Sequence, residues 1–279
     1  MGKVILISGG SSGIGCEAAR MLSGKGHKVY AAARRMEKLV QLAEYGIVPV
    51  RLDVTSKESV EACVQSVIDA EGRIDVLVNN AGYGSLGPLE CVSMEEAHKQ
   101  MDTNLFGAAM LSRLVIPYMR EQRSGRIINI SSVAGRTPVQ FGGWYNISKY
   151  ALEALGDTMR IDLKQYGIDV VTVEPSGIKT PWGAIAADNL EACTTGTMYE
   201  EQAKREAELF RKAYSGNIMS SPSVVARAIT RAACARRPHP RYHPGFGSRM
   251  MIALHSILPV RWWDALTRLL AAPFNPYCK

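Results

Sequence analysis

The sequence predicts an α/β fold, a single doubly wound parallel sheet flanked by helices. Three observations carry this expectation. Short apolar, β-branched runs alternate with amphipathic stretches from Lys3 to Val173, the pattern of repeated strand–helix units. The first run leads directly into a glycine turn and then a helical pattern, the context of a Rossmann-type dinucleotide fold. The 279 residues, 47% apolar and 21% charged, suffice for one large domain with a full core.

Composition narrows the function classes. Lys and Arg number 33 against 26 Asp and Glu, a net charge of +7, but the excess is spread out. No basic run of nucleic-acid type appears. Six cysteines, Cys16, Cys63, Cys91, Cys193, Cys234 and Cys278, lie far apart without a C-x-x-C pair, which fits a reducing compartment better than a disulfide framework or a zinc site. The first apolar run is too short for a signal peptide, and no segment is apolar for long enough to span a bilayer. A cytoplasmic, soluble protein is expected, with surface membrane contact left open. The sequons at Asn129 and Asn146 fall inside predicted structure rather than on a surface loop.

The elements follow in order. Lys3 to Ser8 (K-V-I-L-I-S) is the first strand, and Gly9 to Gly15 (G-G-S-S-G-I-G) runs into a helical pattern at Ala18, Ala19 and Leu22. Such a turn cradles phosphate, because small residues admit the ligand to the backbone and the helix start offers free N–H groups. The second strand, Lys28 to Ala33, ends in Arg34 and Arg35 with no carboxylate. An acid there would bind a ribose 2′-hydroxyl, whereas arginine accommodates a 2′-phosphate. NADP(H) is therefore the predicted cofactor, with Ser11 and Ser12 adding hydroxyl donors.

The third strand, Val48 to Leu52, precedes Asp53, which can accept a hydrogen bond from an adenine amino group, and Ser56 to Ala70 is helical. The fourth strand, Asp75 to Val78, ends in N-N-A-G, Asn79 to Gly82. Small residues there let the chain pass close to a ligand, and the amides can tie strand ends together. Glu95 to Gln122 reads as a long helical region broken around Asn104 and Gly107. Asn104 is either a satisfied core amide or a functional kink.

The chain turns on Ser131 to Lys149, which opens at the end of the apolar strand Arg126 to Ile130 and closes in a helix continuing through Tyr150, Leu152, Leu155 and Met159. Tyr145 and Lys149 are four apart and share one helix face, about 5–6 Å apart at Cβ. A fixed ammonium favours the phenolate, and bringing a phenol from near 10 to roughly 7 takes about 4 kcal/mol. Lys149 is therefore expected to lower the Tyr145 pKa, aided by a second positive charge such as an oxidised nicotinamide.

Beyond the strand Ile168 to Val173 comes E-P-S-G-I-K-T-P, and composition then turns polar from Trp182 to Met219, with an acidic-basic helix around Tyr199 to Lys212. Ligands of open α/β sheets bind outside the carboxyl ends of the strands, so residues 183–220 are expected to form a substrate lid. Pro222 to Ala235 is helical and Arg241 to His243 is a short last strand. His239 and His243 are four apart but flanked by prolines, with no carboxylate following, and no metal is proposed. Residues 245–279 form a C-terminal helical extension whose apolar-basic stretches read as core-covering helices, a dimer surface or an interfacial membrane patch, the first two being preferred.

With these pieces in order, the chain resembles a short-chain dehydrogenase/reductase, closely over Lys3 to Pro181 and by architecture beyond. The family's T-G-x-x-x-G-I-G appears as S-G-G-S-S-G-I-G, with Ser8 in place of threonine, and N-N-A-G is intact. The active-site asparagine matches Asn104, the serine matches Ser132, thirteen before the tyrosine, and the Y-x-x-x-K pair matches Tyr145 and Lys149. P-S-G-I-K-T departs from P-G-x-V-x-T by placing Ser176 where glycine is usual, which puts the local backbone path in doubt. Pro175, Ile178 and Thr180 still match, the last two as nicotinamide-binding positions.

The resemblance implies that Tyr145 exchanges a proton with the substrate oxygen, Ser132 hydrogen-bonds that oxygen, Lys149 tunes the tyrosine and holds the nicotinamide ribose, and Asn104 helps hold a water. It also implies cofactor contacts from Gly9, Gly13, Ile14 and Gly15, from Val54 beside Asp53, and from Asn80, Ala81 and Gly82. The insertion and the apolar C-terminal region are similar to the hydroxysteroid and retinol dehydrogenase-like branch. NADP(H)-dependent interconversion of a ketone and a secondary alcohol on a lipophilic substrate is the expectation. A 3-oxoacyl-carrier reductase is the enzymatic alternative, and an NADPH-sensing protein without chemistry the non-enzymatic one. A homodimer or homotetramer is expected.

Overall fold

Seven parallel strands form the centre of the molecule: β1 (Val4–Ser8), β2 (Lys28–Ala33), β3 (Val48–Arg51), β4 (Val76–Asn79), β5 (Gly125–Ile130), β6 (Ile168–Val173) and β7 (Arg241–Tyr242). The computed structural model describes residues 2–216 and 219–271. Residues 217–218 of the expected lid, and 272–279 of the expected extension with Cys278, lie outside the described residues. The strands run in the order β3-β2-β1-β4-β5-β6-β7, and every pairing is parallel.

Both sheet faces are buried, which explains why the strands read as continuous apolar runs. Along β1, Ile5 and Ile7 face α1 (Gly13–Ser23) and α9 (Pro222–Cys234). Val4 and Leu6 face the opposite layer of α3 (Lys57–Glu71), α5 (Gly107–Glu121) and α6 (Gly143–Leu163). The short α2 (Met36–Val40) follows β2, and α4 (Met94–Met101) precedes α5. The break expected near Asn104 is a π-helical turn, Asp102–Phe106, between α4 and α5. Such turns insert one residue into a helix and recur at functional sites.

The predicted strand ends shift by a residue or two. Asp75 precedes β4, where its carboxylate accepts from the backbone N–H of Val4 at 2.8 Å. His243 leaves the β7 ladder, and its Nδ1 sits 3.0 Å from Glu174 Oε2. Asn129 is fully buried and Asn146 is 8% exposed, so neither sequon is presented at the surface.

Asn79 ties strand ends together as its sequence position implied. Its Nδ2 donates to Asn129 Oδ1 at 2.9 Å and to Ser112 Oγ at 3.0 Å, joining β4, β5 and α5. Asn79→Ala strands a buried acceptor on Asn129, and unfolding in urea is expected to show a loss of about 1–3 kcal/mol. An unchanged midpoint would remove this amide from the list of fold determinants.

Candidate active site

A cavity of about 730 Å³ opens along the carboxyl ends of β1, β2, β4, β5 and β6. It lies where the strand order reverses between β1 and β4, the place such sheets bind ligands. Every residue expected to bind cofactor lines this cavity except Gly15. A Cβ on Gly15 would stand 2.5 Å from Asn80 Nδ2 and 2.6 Å from Gly9 O, so this glycine packs the turn together instead of facing the ligand.

The turn after β1 is stitched to β4 by polar groups. Ser8 Oγ accepts from the N–H groups of Asn80 at 3.0 Å and Ala81 at 3.1 Å. Asn80 Nδ2 donates back to the carbonyls of Ser8 and Gly9. Gly9 has φ +67, and a Cβ there would lie 2.9 Å from Ala81 Cα, so the crossing needs both the left-handed backbone and the missing side chain. Ser12 occupies the N-cap of α1 without capping it by its side chain. The first-turn N–H groups of α1 therefore face the cavity as an anion site.

At the end of β2, Arg35 Nη2 donates to Ser12 Oγ at 3.1 Å and to Ser11 Oγ at 3.3 Å. These three side chains form a cationic, hydroxyl-rich corner. Arg34 lines the cavity beside Asp53 and Tyr83. Asp53 Oδ1 accepts from Thr55 N and Thr55 Oγ1. Partial burial pushes its pKa up, but the two Thr55 hydrogen bonds outweigh it and keep the carboxyl below its ordinary value. A glycine cradle, an uncapped helix start and an arginine–serine corner fit an adenine dinucleotide carrying a 2′-phosphate.

Ser132 and Tyr145 meet at the far end. Ser132 leaves β5 in an extended conformation, its Oγ accepting from Ala134 N at 3.1 Å, and like Tyr145 it lines the cavity. Tyr145 lies in the first turn of α6 and is 7% exposed. Burial pushes its pKa up to about 12, with the nearby Ser132 hydroxyl pulling the other way. The expected lowering by Lys149 does not occur in this arrangement. Lys149 Nζ sits 5.9 Å from the Tyr145 ring centroid and donates to Ile130 O at 3.0 Å, so its charge is turned toward the end of β5. Its own pKa falls to about 8, through burial that Glu153 partly opposes.

Asn104 reaches the site only indirectly. Its Nδ2 donates to Tyr83 O at 2.9 Å and Ser148 Oγ at 3.1 Å, and its Oδ1 accepts from Tyr83 N at 3.0 Å. Both amide N–H groups and one lone pair of the oxygen are thus used within the protein, and the side chain does not border the cavity. It clamps the chain after β4 to α6, one residue before Lys149.

Ser176 resolves without strain. It lies outside the left-handed region, which Gly177 occupies at φ +54. The turn places its special backbone position one residue along the chain, and Pro175, Ile178 and Thr180 all reach the cavity.

The segment expected to form a lid is a helical pair, α7 (Trp182–Thr194) and α8 (Glu200–Ser215), whereas the sequence pointed only to the second. Arg211 on α8 bridges Glu191 and Asp188 on α7. Beneath it, Trp182 packs 5.2 Å from the Tyr145 ring and 5.8 Å from Tyr214, which stacks on Phe210. These aromatics escaped sequence reasoning. Phe210 and Tyr214 stand four apart in an otherwise charged helix, and that spacing was the available signal. Also unforeseen is a buried charge cluster behind Lys149. Arg241 binds Glu174 at 2.9 Å, Asp157 at 2.7 Å and Glu153 at 3.3 Å. Burial and the Glu174 charge raise Glu153 to about 7.

Known proteins resemble this chain in sequence and fold. The family model for short chain dehydrogenases matches residues 3–190. A probable short-chain type dehydrogenase/reductase, VdlC, of Helicobacter pylori is 33% identical over 95% of this chain and 96% of its own. A 3-ketodihydrosphingosine reductase of Bacteroides thetaiotaomicron is 40% identical over 64% of this chain and 65% of its own. The crystal structure of a short-chain dehydrogenase from Streptomyces avermitilis superposes with a TM-score of 0.80 at 29% identity, covering 99% of both chains. With a glycine cradle at the β1–β4 switch point and a serine, tyrosine and lysine at its far end, the chain belongs to the short-chain dehydrogenase/reductase family of oxidoreductases.

Proposed function

We propose that the protein interconverts a ketone and a secondary alcohol on a lipophilic substrate, such as a steroid, retinoid or long-chain lipid, using NADP(H). The observation that carries this reading is the opening of the Ser132–Tyr145 pair onto a chamber walled by Trp182, Phe210, Tyr214, Ile185 and Leu86. Such a wall favours an apolar body, while the two hydroxyls supply the few polar contacts that orient it. The 3-ketodihydrosphingosine reductase relative supports a lipid ketone, and the Arg35–Ser11–Ser12 corner supports the 2′-phosphorylated cofactor.

The nicotinamide supplies or accepts hydride at the substrate carbon when bound. Tyr145, protonated at neutral pH with its pKa near 12, donates its phenolic proton to the carbonyl oxygen as charge develops there. Ser132 donates a hydrogen bond to the same oxygen and stabilises that charge. Lys149, tethered at Ile130 O and lining the cleft, would hold the nicotinamide ribose. The lid excludes water and strengthens these interactions.

Tyr145→Phe is expected to lower NADPH-dependent ketone reduction by roughly 10²–10⁴-fold, while NADPH titrates the variant with unchanged affinity. Near-normal turnover would refute the proton-transfer role. For the cofactor, Arg35→Ala is expected to weaken NADPH at least tenfold more than NADH, measured by fluorescence titration. Equal losses would remove the 2′-phosphate assignment.

Burial of Lys149 also predicts a pH signature. Its folded pKa is about 8, against 10.5 for an unperturbed lysine. Below pH 8 both folded and unfolded chains carry the proton, so the cost of burying the charge is fully present. Between 8 and 10.5 the unfolded chain binds more protons, and stability rises with pH. In Lys149→Met that rise is absent, so the stability of the variant relative to the wild type should fall by about 3 kcal/mol across this window. Parallel pH–stability curves would contradict a buried, depressed lysine.

A further inference from the structure

The C-terminal extension does not cover the core. Among the described residues of α10 (Ser248–Ile257) and α11 (Val260–Ala271), only Ser248 and Trp263 are buried. On α10, Met250, Leu254 and Ile257 recur at a spacing of four and three, one helix face, and all are exposed, Ile257 by 79%. On α11, Trp262 and Leu269 are seven apart, again one face, and are 69% and 70% exposed. The neighbouring Trp263 points inward, its ring meeting His255 edge to face at 4.9 Å. That contact fixes α11 on α10 and leaves Trp262 facing solvent.

Charge selects what this surface fits. From Arg236 to Ala271 the chain carries six arginines and one acid, Asp264. Arg241 is consumed by the buried cluster, but Arg249, Arg261 and Arg268 are exposed and make no ion pair among the described residues. A two-fold contact with a second copy would bring both copies' arginines into one interface, where Asp264 is the one acid each copy's stretch from Arg236 to Ala271 offers to pair them. Apolar side chains bearing a tryptophan, beside arginines, are the composition of an interfacial helix on an anionic bilayer. No helix among the described residues is long and apolar enough to cross a membrane.

We propose that α10 and α11 dock the protein on an anionic phospholipid surface, with Met250, Leu254, Ile257, Trp262 and Leu269 entering the interface and Arg261 and Arg268 meeting headgroup phosphates. This surface grows out of the cavity wall. Gly245 abuts the carbonyl of Ser176 and the side chain of Ile178. Phe246 N donates to Ser220 Oγ at the lid base, and Ser248 Oγ donates to Glu174 O. Docking there brings the lid and substrate chamber close to the bilayer, from which an apolar substrate would partition.

The test is cosedimentation of the full chain with phosphatidylcholine vesicles, with and without phosphatidylserine, alongside sedimentation velocity. It needs no turnover, so it is read separately from the reductase assignment. Binding to the anionic vesicles alone is expected, and it should weaken roughly tenfold or more in Arg261→Gln/Arg268→Gln. Trp262→Ser/Leu269→Ser should abolish it while leaving the oligomeric state and activity on a water-soluble ketone unchanged, which shows the variant to be folded. Absence of vesicle binding at low salt would overturn the proposal. So would a change in self-association in the Trp262/Leu269 variant with vesicle binding retained, which would assign the face to a second copy.

Discussion

Two parallel strands that neighbour each other in the sheet, β1 and β4, send their chains to opposite faces as they end. The crevice left between them must be held open without exposing unpaired backbone to the core. Ser8 and Asn80 do this, exchanging hydrogen bonds across the seam, while Gly9 passes within a side chain's width of Ala81. The cofactor cradle lies to one side of the seam and the catalytic segment to the other.

The Lys149 ammonium is placed at a cost in stability. Lys149 is buried where its charge is poorly solvated, and the carbonyl of Ile130 is its one hydrogen-bond acceptor among the described residues. Behind it, Glu153 and Glu174 repel each other and are held by Arg241. Removing one member of such a group exposes the rest to an uncompensated field. Glu153 lies one helical turn beyond Lys149, so the cluster sets the electrostatic background of the lysine as well as bracing β6 against β7.

The wall of the cavity over Tyr145 is built from different material. The α7–α8 pair is joined by ion pairs on its outer side and by aromatic contacts over Tyr145 on its inner side. The polar groups keep the pair soluble and oriented while the rings shape the chamber. The adjoining α10–α11 surface continues the apolar theme outward, with arginines replacing the mixed charges of the lid.

The positions of the strands along the chain, the glycine turn, the arginine end of β2 and the Tyr145–Lys149 spacing were legible in the sequence. Each is a local pattern: period, turn chemistry or a four-residue helical offset acts within a few residues of itself. The break at Asn104 was legible too, but its use was not, because the amide's partners, Tyr83 and Ser148, are distant in the chain and brought together only by folding. The same holds for the direction of the Tyr145 pKa. Helical spacing placed a cation nearby, while tertiary burial and the Ile130 carbonyl decided that desolvation prevails. Which apolar stretches cover the core and which remain outside was likewise settled by packing. An amphipathic face states that it needs a partner, and only the assembled structure shows whether the chain supplies one.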